Sequence, residues 1–362
     1  MGTEKEFQEI YLSGGRIEFK KQKDGSISIT YQGSDPLPVS VFQICVSYTG
    51  EIIDTVPFQA ITYPQPSFLV LVLSDQHGMF GRHCPKCNSY YRTDTCPGDR
   101  YCPYCGCSAK SINFLTQNQI RYIGAFCNSF IQAHDKGSDI ILDLDKLKKE
   151  LPQNKPEWLY SEESQQNSYR CPKCRTRYDI LGEYGLCPHC VKSNLEMVFD
   201  RKMQGVQSEF EASDKNITDK RKREGEWINL LAKSVSEFES MANQVRKYLL
   251  LFPATPSRRQ ALSSVSFQNI SKANTKLKEW YGFEFLEGVT DVDRNFLNLI
   301  FNRRHIFTHN AGRVDQEYIG NTGDTTVRLN QLIHVRSDEI KRLVPLVSQS
   351  GKRLIQGFES IT

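Results

Sequence analysis

Eight of the twelve cysteines in this 362-residue chain fall into four Cys-x-x-Cys pairs, and the pairs form two sets. Fourteen residues separate the two pairs of the first set, and twelve separate those of the second. The ligands are Cys84, Cys87, Cys102 and Cys105 in the first set, and Cys171, Cys174, Cys187 and Cys190 in the second. Two such turns place four thiolates around one point, as a structural zinc site requires. The sequence therefore predicts two Zn²⁺ ions per chain.

Both cysteine-rich segments resemble zinc ribbons. Four thiolates leave zinc no open coordination position, so a structural role is favoured over a catalytic one. Cys96 and Cys107 lie beside the first set, and His83 and His189 are alternative ligands. The four-cysteine assignment is preferred because it gives both sites the same spacing plan.

Charge and targeting signals restrict the location and the partners of the chain. The N-terminus lacks the basic-then-apolar layout of a signal peptide, so we expect a cytoplasmic protein with reduced thiols. The longest apolar run, Phe68–Leu73, is far shorter than the ~20 residues of a membrane helix, which predicts no membrane partner. The net charge of +4 permits nucleic-acid binding without requiring it. Tyr90, Tyr91 and Tyr178 would stack on bases in one interpretation, but they serve equally well as packing within the ribbons.

Hydrophobic periodicity predicts a multidomain α+β protein. Segments 16–20 and 26–31 alternate apolar and polar residues around Asp24-Gly25, which is a β-hairpin signal. Cys45 and Cys127 lie in apolar surroundings and are predicted core thiols. Segment 152–168 is typical of a linker, and 200–224 of a solvated helix or flexible connector. The predicted domains are a β-rich domain (1–80), zinc ribbon 1 (81–110), a helical connector (111–155), zinc ribbon 2 (165–195) and an all-helical domain (225–362).

Catalytic residue types concentrate near the C-terminus, in Asn302-Arg303-Arg304-His305-Ile-Phe-Thr-His309. Here the sequence resembles HEPN domains, in which an arginine, usually followed by a polar residue, precedes a histidine by a short gap. Arg304 to His309 fits this pattern with His305 as the polar follower, and Arg303 to His309 is the alternative. The segments Asn310-Ala-Gly312, Asp315, Ser266–Ile270 and Leu286-Glu-Gly288 also resemble a bacterial HEPN branch. The resemblance covers about residues 225–362 and implies a helical bundle that forms a homodimer.

Many HEPN proteins are metal-independent endoribonucleases, and the resemblance implies the same activity here. His309 would then act as base or acid, Arg304 as phosphate clamp, and His305 or Asn302 would assist. The implied substrate is tRNA or another RNA, in phage defence or a toxin system, and the cut would leave 2′,3′-cyclic phosphate and 5′-hydroxyl ends. The alternative is a non-catalytic dimer that binds nucleic acid or protein through its zinc ribbons.

Helical geometry bears on the Arg–His pair. On one straight helix, Arg304 lies about 140° away from His309, and Arg303 faces the apolar stripe. The pair meets only if the helix breaks, if the long arginine reaches round, or if a second subunit supplies one member. A structural Arg–His pair at a dimer interface is the competing interpretation.

Overall fold

The computed structural model describes residues 14–33, 40–56, 66–75, 77–94, 101–150, 166–252 and 254–361. The chain forms two compact units, Met1–Asn194 and Leu195–Thr362. The first unit contains antiparallel β-sheets and both four-cysteine clusters, and the second is an all-α bundle. The predicted α+β architecture, with β structure first and helices last, is confirmed.

Three antiparallel sheets make up the described β structure of the first unit, with strand orders β2-β1-β8, β4-β3-β5 and β6-β7-β10-β9. The strands are β1 Gly15–Lys21, β2 Ile27–Gly33, β3 Val41–Ser47, β4 Ile52–Val56, β5 Ser67–Leu73, β6 Phe80–His83, β7 Tyr90–Thr93, β8 Ile140–Asp143, β9 Gln166–Arg170 and β10 Arg177–Leu181. The described residues of this unit also form the α-helices α1 Gln117–Lys136 and α2 Leu144–Glu150.

The predicted hairpin at Asp24-Gly25 connects β1 and β2. The Asp24 carboxylate accepts hydrogen bonds from the backbone N–H and the hydroxyl of Ser26, at 2.9 and 2.6 Å. Gly25 has a φ of +86°, which a residue with a side chain rarely adopts. The register then places Ile17 and Phe19 of β1 on the buried face.

Helix α1 packs on the first two sheets and closes their core. The rings of Phe19 and Phe126 meet edge to face at 4.9 Å between centroids, and those of Phe68 and Phe130 stack at 4.1 Å. Strand β8, which follows α1, pairs with β1. Residues 111–150, interpreted from sequence as a connector, are therefore part of this core. Cys45 and Cys127 are both buried, in agreement with their prediction as core thiols.

The second unit consists of helices in its described residues, and the longest pack side by side. They are α3 Leu195–Asn216, α4 Lys220–Leu249, α5 Pro256–Ser263, α6 Ile270–Tyr281, α7 Asp291–His309, α8 Gln316–Thr322 and α9 Ser337–Ser360. Helix α4 packs against α3, α9 and α7. Phe238 of α4 contacts Phe301 of α7 edge to face, with centroids 5.6 Å apart. Thr290 caps α7 by accepting a hydrogen bond from the N–H of Asp293 at 3.1 Å.

Three segments differ from their sequence interpretation. The charged stretch 200–224 belongs mostly to α3, whose buried face carries Phe199, Met203 and Phe210 against the bundle, so the helical unit begins at Leu195 rather than at 225. Residues 166–168 of the predicted linker lie in β9, and the linker's residues 152–165 fall outside the described residues. The segment 320–326 is rich in Gly, Asp and Thr and is typical of a loop, but Gly320 to Thr322 lie in α8. Among the described helices, none has the length and apolar character needed to cross a membrane.

Candidate functional site

The eight paired cysteines form the two clusters that their spacing predicts. In each cluster the four Sγ atoms lie within 4.8 Å of one another. The Sγ atoms of Cys84 and Cys105 are 3.7 Å apart, and those of Cys87 and Cys102 are 3.6 Å apart. The corresponding distances in the second cluster are 3.5 Å for both Cys171–Cys190 and Cys174–Cys187.

All four Cys-x-x-Cys turns have the same backbone geometry. In each turn, the carbonyl of the first cysteine accepts a hydrogen bond at 2.9–3.0 Å from the N–H four residues later. The donors are Asn88, Gly106, Arg175 and Val191, and their φ angles lie between 60° and 68°. Left-handed backbone is costly for a β-branched residue such as Val191 and persists only where the surroundings fix it. This backbone conformation is needed here because each turn must point its two sulfur atoms at one centre.

The donor set of each cluster fits a metal ion with four thiolate ligands. Burial raises the pKa of Cys187, and a coordinated cation reverses that effect because it keeps a bound thiol deprotonated. Burial also disfavours the Cys174 thiolate, but hydrogen bonds from the side chain and backbone of Thr176 lower its pKa to about 6. The two clusters are consistent with two closed, structural metal sites.

The alternative ligands that the structure describes lie outside the two clusters. A ring nitrogen of His83 lies 2.9 Å from the Asn88 carbonyl oxygen. Neither His83 nor His189 belongs to the two groups of clustered ligand atoms among the described residues. Cys107 is half-buried, and its thiol donates to the Ser108 carbonyl at 3.9 Å. Cys96 lies outside the described residues.

The two clusters share one four-stranded sheet, a feature that the sequence interpretation as two separate ribbons did not contain. Strand β7 of the first pairs with β10 of the second. The N–H of Tyr101 donates to the Pro188 carbonyl at 3.1 Å, and the N–H of Leu186 donates to the Pro103 carbonyl at 2.9 Å. This reciprocal exchange joins the second turn of each cluster to that of the other.

The tyrosines considered for base stacking are largely used in packing. Tyr91 and Tyr178 are fully buried. The Tyr178 ring lies 5.7 Å from that of Tyr169, and the Tyr91 ring lies 6.3 Å from that of Phe114. Tyr90 is half-buried. The arrangement favours ribbon packing over base stacking for Tyr91 and Tyr178.

A polar cleft of about 190 Å³ lies along the C-terminal half of α7 in the second unit. Three of the four predicted catalytic residues line it: Asn302, Arg304 and His305. The opposite walls come from the segment before α6 and from α8, and include Ser266, Gln268, Asn269, Glu317 and Asn321. Residues separated by more than thirty positions in the sequence are thus brought to one cleft.

The two adjacent arginines have different environments. Arg303 is half-buried, and its guanidinium donates to Glu339 at 2.5 Å and to the Tyr318 hydroxyl at 3.3 Å. Tyr318 in turn donates to Asp324 at 3.0 Å, and burial raises the pKa of Tyr318 to about 12. Arg303 therefore belongs to a buried network that ties α7 to α8 and α9.

Arg304 instead lines the cleft and is supported by α4. Its Nη2 atom donates to the Ser236 hydroxyl at 3.4 Å and lies 3.4 Å from a carboxylate oxygen of Glu239. Burial raises the pKa of Glu239, and the charge of Arg304 opposes this shift. Ser236 and Glu239 could not be recognised from the sequence as partners of Arg304, because they precede it by more than sixty residues and belong to an ordinary amphipathic helix pattern.

His309 ends α7 beside the cleft but is not among the residues that line it. Its ring centroid is 4.7 Å from that of His305, and both side chains are exposed. Helix α7 runs unbroken to His309, and the Arg304 side chain is directed to α4 rather than towards His309. Within one chain, the structure therefore brings together Arg304, His305 and Asn302 but not Arg304 and His309.

The segment Asn310-Ala-Gly312 forms the stop signal of α7. Ala311 and Gly312 have φ angles of 48° and 75°, and the N–H of Gly312 donates to the Ile306 carbonyl at 3.0 Å. This is the left-handed ending that often closes a helix. It ends the helix directly after His309.

No family model matches the chain, and no curated protein or solved structure matches it significantly.

Proposed function

We propose that this chain is a metal-independent endoribonuclease of the HEPN type. The observation that carries the proposal is the cleft on α7, where Arg304, His305 and Asn302 meet the segment Ser266–Asn269. Both stretches resemble HEPN sequence, and their convergence on one polar cleft is what a catalytic site would require.

The reaction suited to these groups is attack by the ribose 2′-hydroxyl on the adjacent phosphate. A histidine removes the 2′-hydroxyl proton as the 2′-oxygen–phosphorus bond forms, and a second protonated group donates a proton to the departing 5′-oxygen. The products are a 2′,3′-cyclic phosphate and a 5′-hydroxyl. Arg304, held by Glu239, supplies the fixed positive charge at the phosphate, and its Nε and Nη1 make no hydrogen bond within the described residues.

His309 takes the role of base or acid in a homodimer. The rings of His305 and His309 lie side by side on an exposed surface at the end of α7, so a second copy can approach them. A partner's Arg304 facing this pair would unite the groups that one chain keeps apart. His305 lines the cleft, and its ring lies beside that of His309. It is therefore placed to exchange a proton with RNA bound in the cleft or with His309.

The two four-cysteine clusters hold Zn²⁺ in this proposal, since tetrahedral tetrathiolate sites favour zinc. The module that they form would position RNA or restrain the nuclease, in a cytoplasmic defence or toxin system that acts on tRNA or another RNA. The competing function is a non-catalytic dimer that binds nucleic acid or protein. The ion pair that occupies Arg304 within one chain favours this second function.

Cleavage of labelled RNA in excess EDTA separates the two functions. The wild type is expected to cut, and Arg304→Ala and His309→Ala are each expected to lose about 10²–10⁴-fold in rate. The matched control is His334→Ala, which removes an exposed histidine of the same helical unit.

Cleavage that survives both substitutions contradicts the proposal, as does cleavage that EDTA abolishes while the zinc content of the chain is unchanged. RNA binding by the wild type without cleavage of any RNA favours the non-catalytic dimer. Zinc is tested separately, because a metal content below about two per chain contradicts the two-site assignment.

A further inference from the structure

The cleft on α7 contains more than the charged groups that a phosphate requires. Four of the residues that line it have carboxamide side chains, namely Gln268, Asn269, Asn302 and Asn321. Phosphates are contacted by cations and hydrogen-bond donors, because their oxygens only accept. A carboxamide offers a donor and an acceptor in one plane, which matches the edge of a nucleobase.

These carboxamides keep hydrogen-bonding groups available for a ligand. Asn302 donates from Nδ2 to the backbone carbonyl one turn earlier at 2.7 Å, which leaves its Oδ1 atom. Asn269 accepts at Oδ1 from the backbone N–H three residues later at 3.0 Å, which leaves its Nδ2 atom. The side chains of Gln268 and Asn321 form no hydrogen bond within the described residues. The cleft therefore retains both donors and acceptors.

The size of the cleft and the origin of its walls suit one ring system. Its volume of about 190 Å³ is below the ~300–1,000 Å³ of clefts that take drug-sized ligands. Asn302 and Arg304 come from α7, Asn269 caps α6, and Asn321 comes from the last turn of α8. A base inserted among the carboxamides would lie beside the guanidinium of Arg304, which also lines the cleft.

We propose that this cleft binds one nucleobase of the RNA, next to the phosphate that Arg304 contacts, and so makes cleavage base-selective. The inference rests on the proposed ribonuclease function. Sequence-specific recognition of RNA is directed mainly at single-stranded bases that are unstacked and held by their hydrogen-bonding edges. The substrate class is accordingly single-stranded RNA with a defined base at the cut.

End-mapping of a random-sequence, single-stranded RNA tests the inference on the full chain. The wild type is expected to enrich one base at a fixed position relative to the cut by at least about fivefold. Asn321→Asp keeps the size of the side chain but replaces two donors with acceptors. This variant is expected to change the preferred base or reduce the enrichment at least twofold.

Two further variants keep the test independent of folding. Gln268→Ala alters an exposed residue and is expected to weaken the same enrichment. Asn295→Ala, on an exposed position of α7 away from the cleft, is expected to keep the wild-type base pattern. Equal base frequencies for the wild type overturn the inference, as does a pattern that Asn321→Asp and Gln268→Ala both leave unchanged. Failure of the wild type to cut any RNA overturns the ribonuclease function itself, and the base inference with it.

Discussion

Arg303 and Arg304 are neighbours in sequence, yet their substitution is expected to affect different properties of the protein. The Arg303 side chain is 12% exposed and lies 2.5 Å from the carboxylate of Glu339, which is 11% exposed. Asp324, with a 2% exposed side chain, lies 3.9 Å from the same guanidinium. Arg303→Ala therefore leaves two buried carboxylates without their cation.

The size of the effect follows from that burial. Removing one partner of a buried ion pair costs about 3–5 kcal/mol in the free energy of unfolding, because the other charge stays buried. For a unit of about 150–250 residues, this corresponds to a melting temperature lowered by about 6–20 °C. The contact between Arg304 and Glu239 is longer, at 3.4 Å, so Arg304→Ala is expected to cost less stability than Arg303→Ala.

Urea unfolding of the full chain, followed by helical circular dichroism, measures both variants. Most described helical residues belong to the second unit, so this signal mainly reports the unfolding of the unit that contains both arginines. Arg303→Ala with Glu339→Gln is the matched double variant, and it is expected to recover part of the lost stability because one buried charge is removed. RNA cleavage, measured under conditions where both variants are folded, should be affected far more by Arg304→Ala.

A loss of less than about 1 kcal/mol for Arg303→Ala would refute this assignment of the two arginines. An equal loss for both variants would refute it as well, since only Arg303 has a 2.5 Å ion pair and a second buried carboxylate beside it.

Three further predictions concern the rest of the chain. Cys171→Ser should reduce the zinc content, measured by elemental analysis, by at least one ion per chain. The first cluster should also retain its zinc less well, because the two clusters exchange backbone hydrogen bonds. Full retention of zinc at the first cluster would mean that the two sites are independent. Hydrogen bonds from Thr326 and Tyr318 hold the pKa of Asp324 below its usual value although burial opposes this, so Asp324 stabilises the fold above its unfolded pKa and this contribution is lost as the pH falls through its folded pKa. Acid titration of Asp324→Asn should accordingly show a smaller loss of stability below about pH 4 than the wild type, and an identical acid limb would contradict it. Gly351→Ala should destabilise the bundle by about 1–3 kcal/mol, because its Cβ would lie 2.2 Å from the ring of Phe199; the control Gly225→Ala has nothing within 4 Å and should be neutral or slightly stabilising, as thermal melts would show.

Features set by local spacing could be predicted from the sequence. The cysteine ligands follow from the Cys-x-x-Cys pattern, because a single tight turn determines where both sulfurs point. The hairpin at Asp24-Gly25 follows from turn chemistry, which also acts within a few residues.

Features set by distant partners could not be predicted. Helix α3 is rich in charged residues, but one of its faces is an apolar stripe through Phe199, Met203 and Phe210. The role of this stripe is evident only from the packing of α4 and α9 against it. The role of Arg303 depends on Glu339, thirty-six residues later, and that of Arg304 on Glu239, sixty-five residues earlier. The shared sheet of the two clusters depends on backbone pairing between β7 and β10, which no side-chain pattern encodes.

The chemistry of the cut tests the central proposal most directly. An RNA is first mapped for its cleavage site in EDTA, and the same RNA is then made with a single 2′-deoxynucleotide on the 5′ side of that site. Attack by the 2′-oxygen predicts that this bond is no longer cut, while the unmodified RNA gives a 2′,3′-cyclic phosphate and a 5′-hydroxyl. Cleavage at the 2′-deoxy position, or a 5′-phosphate on the product, would contradict the account.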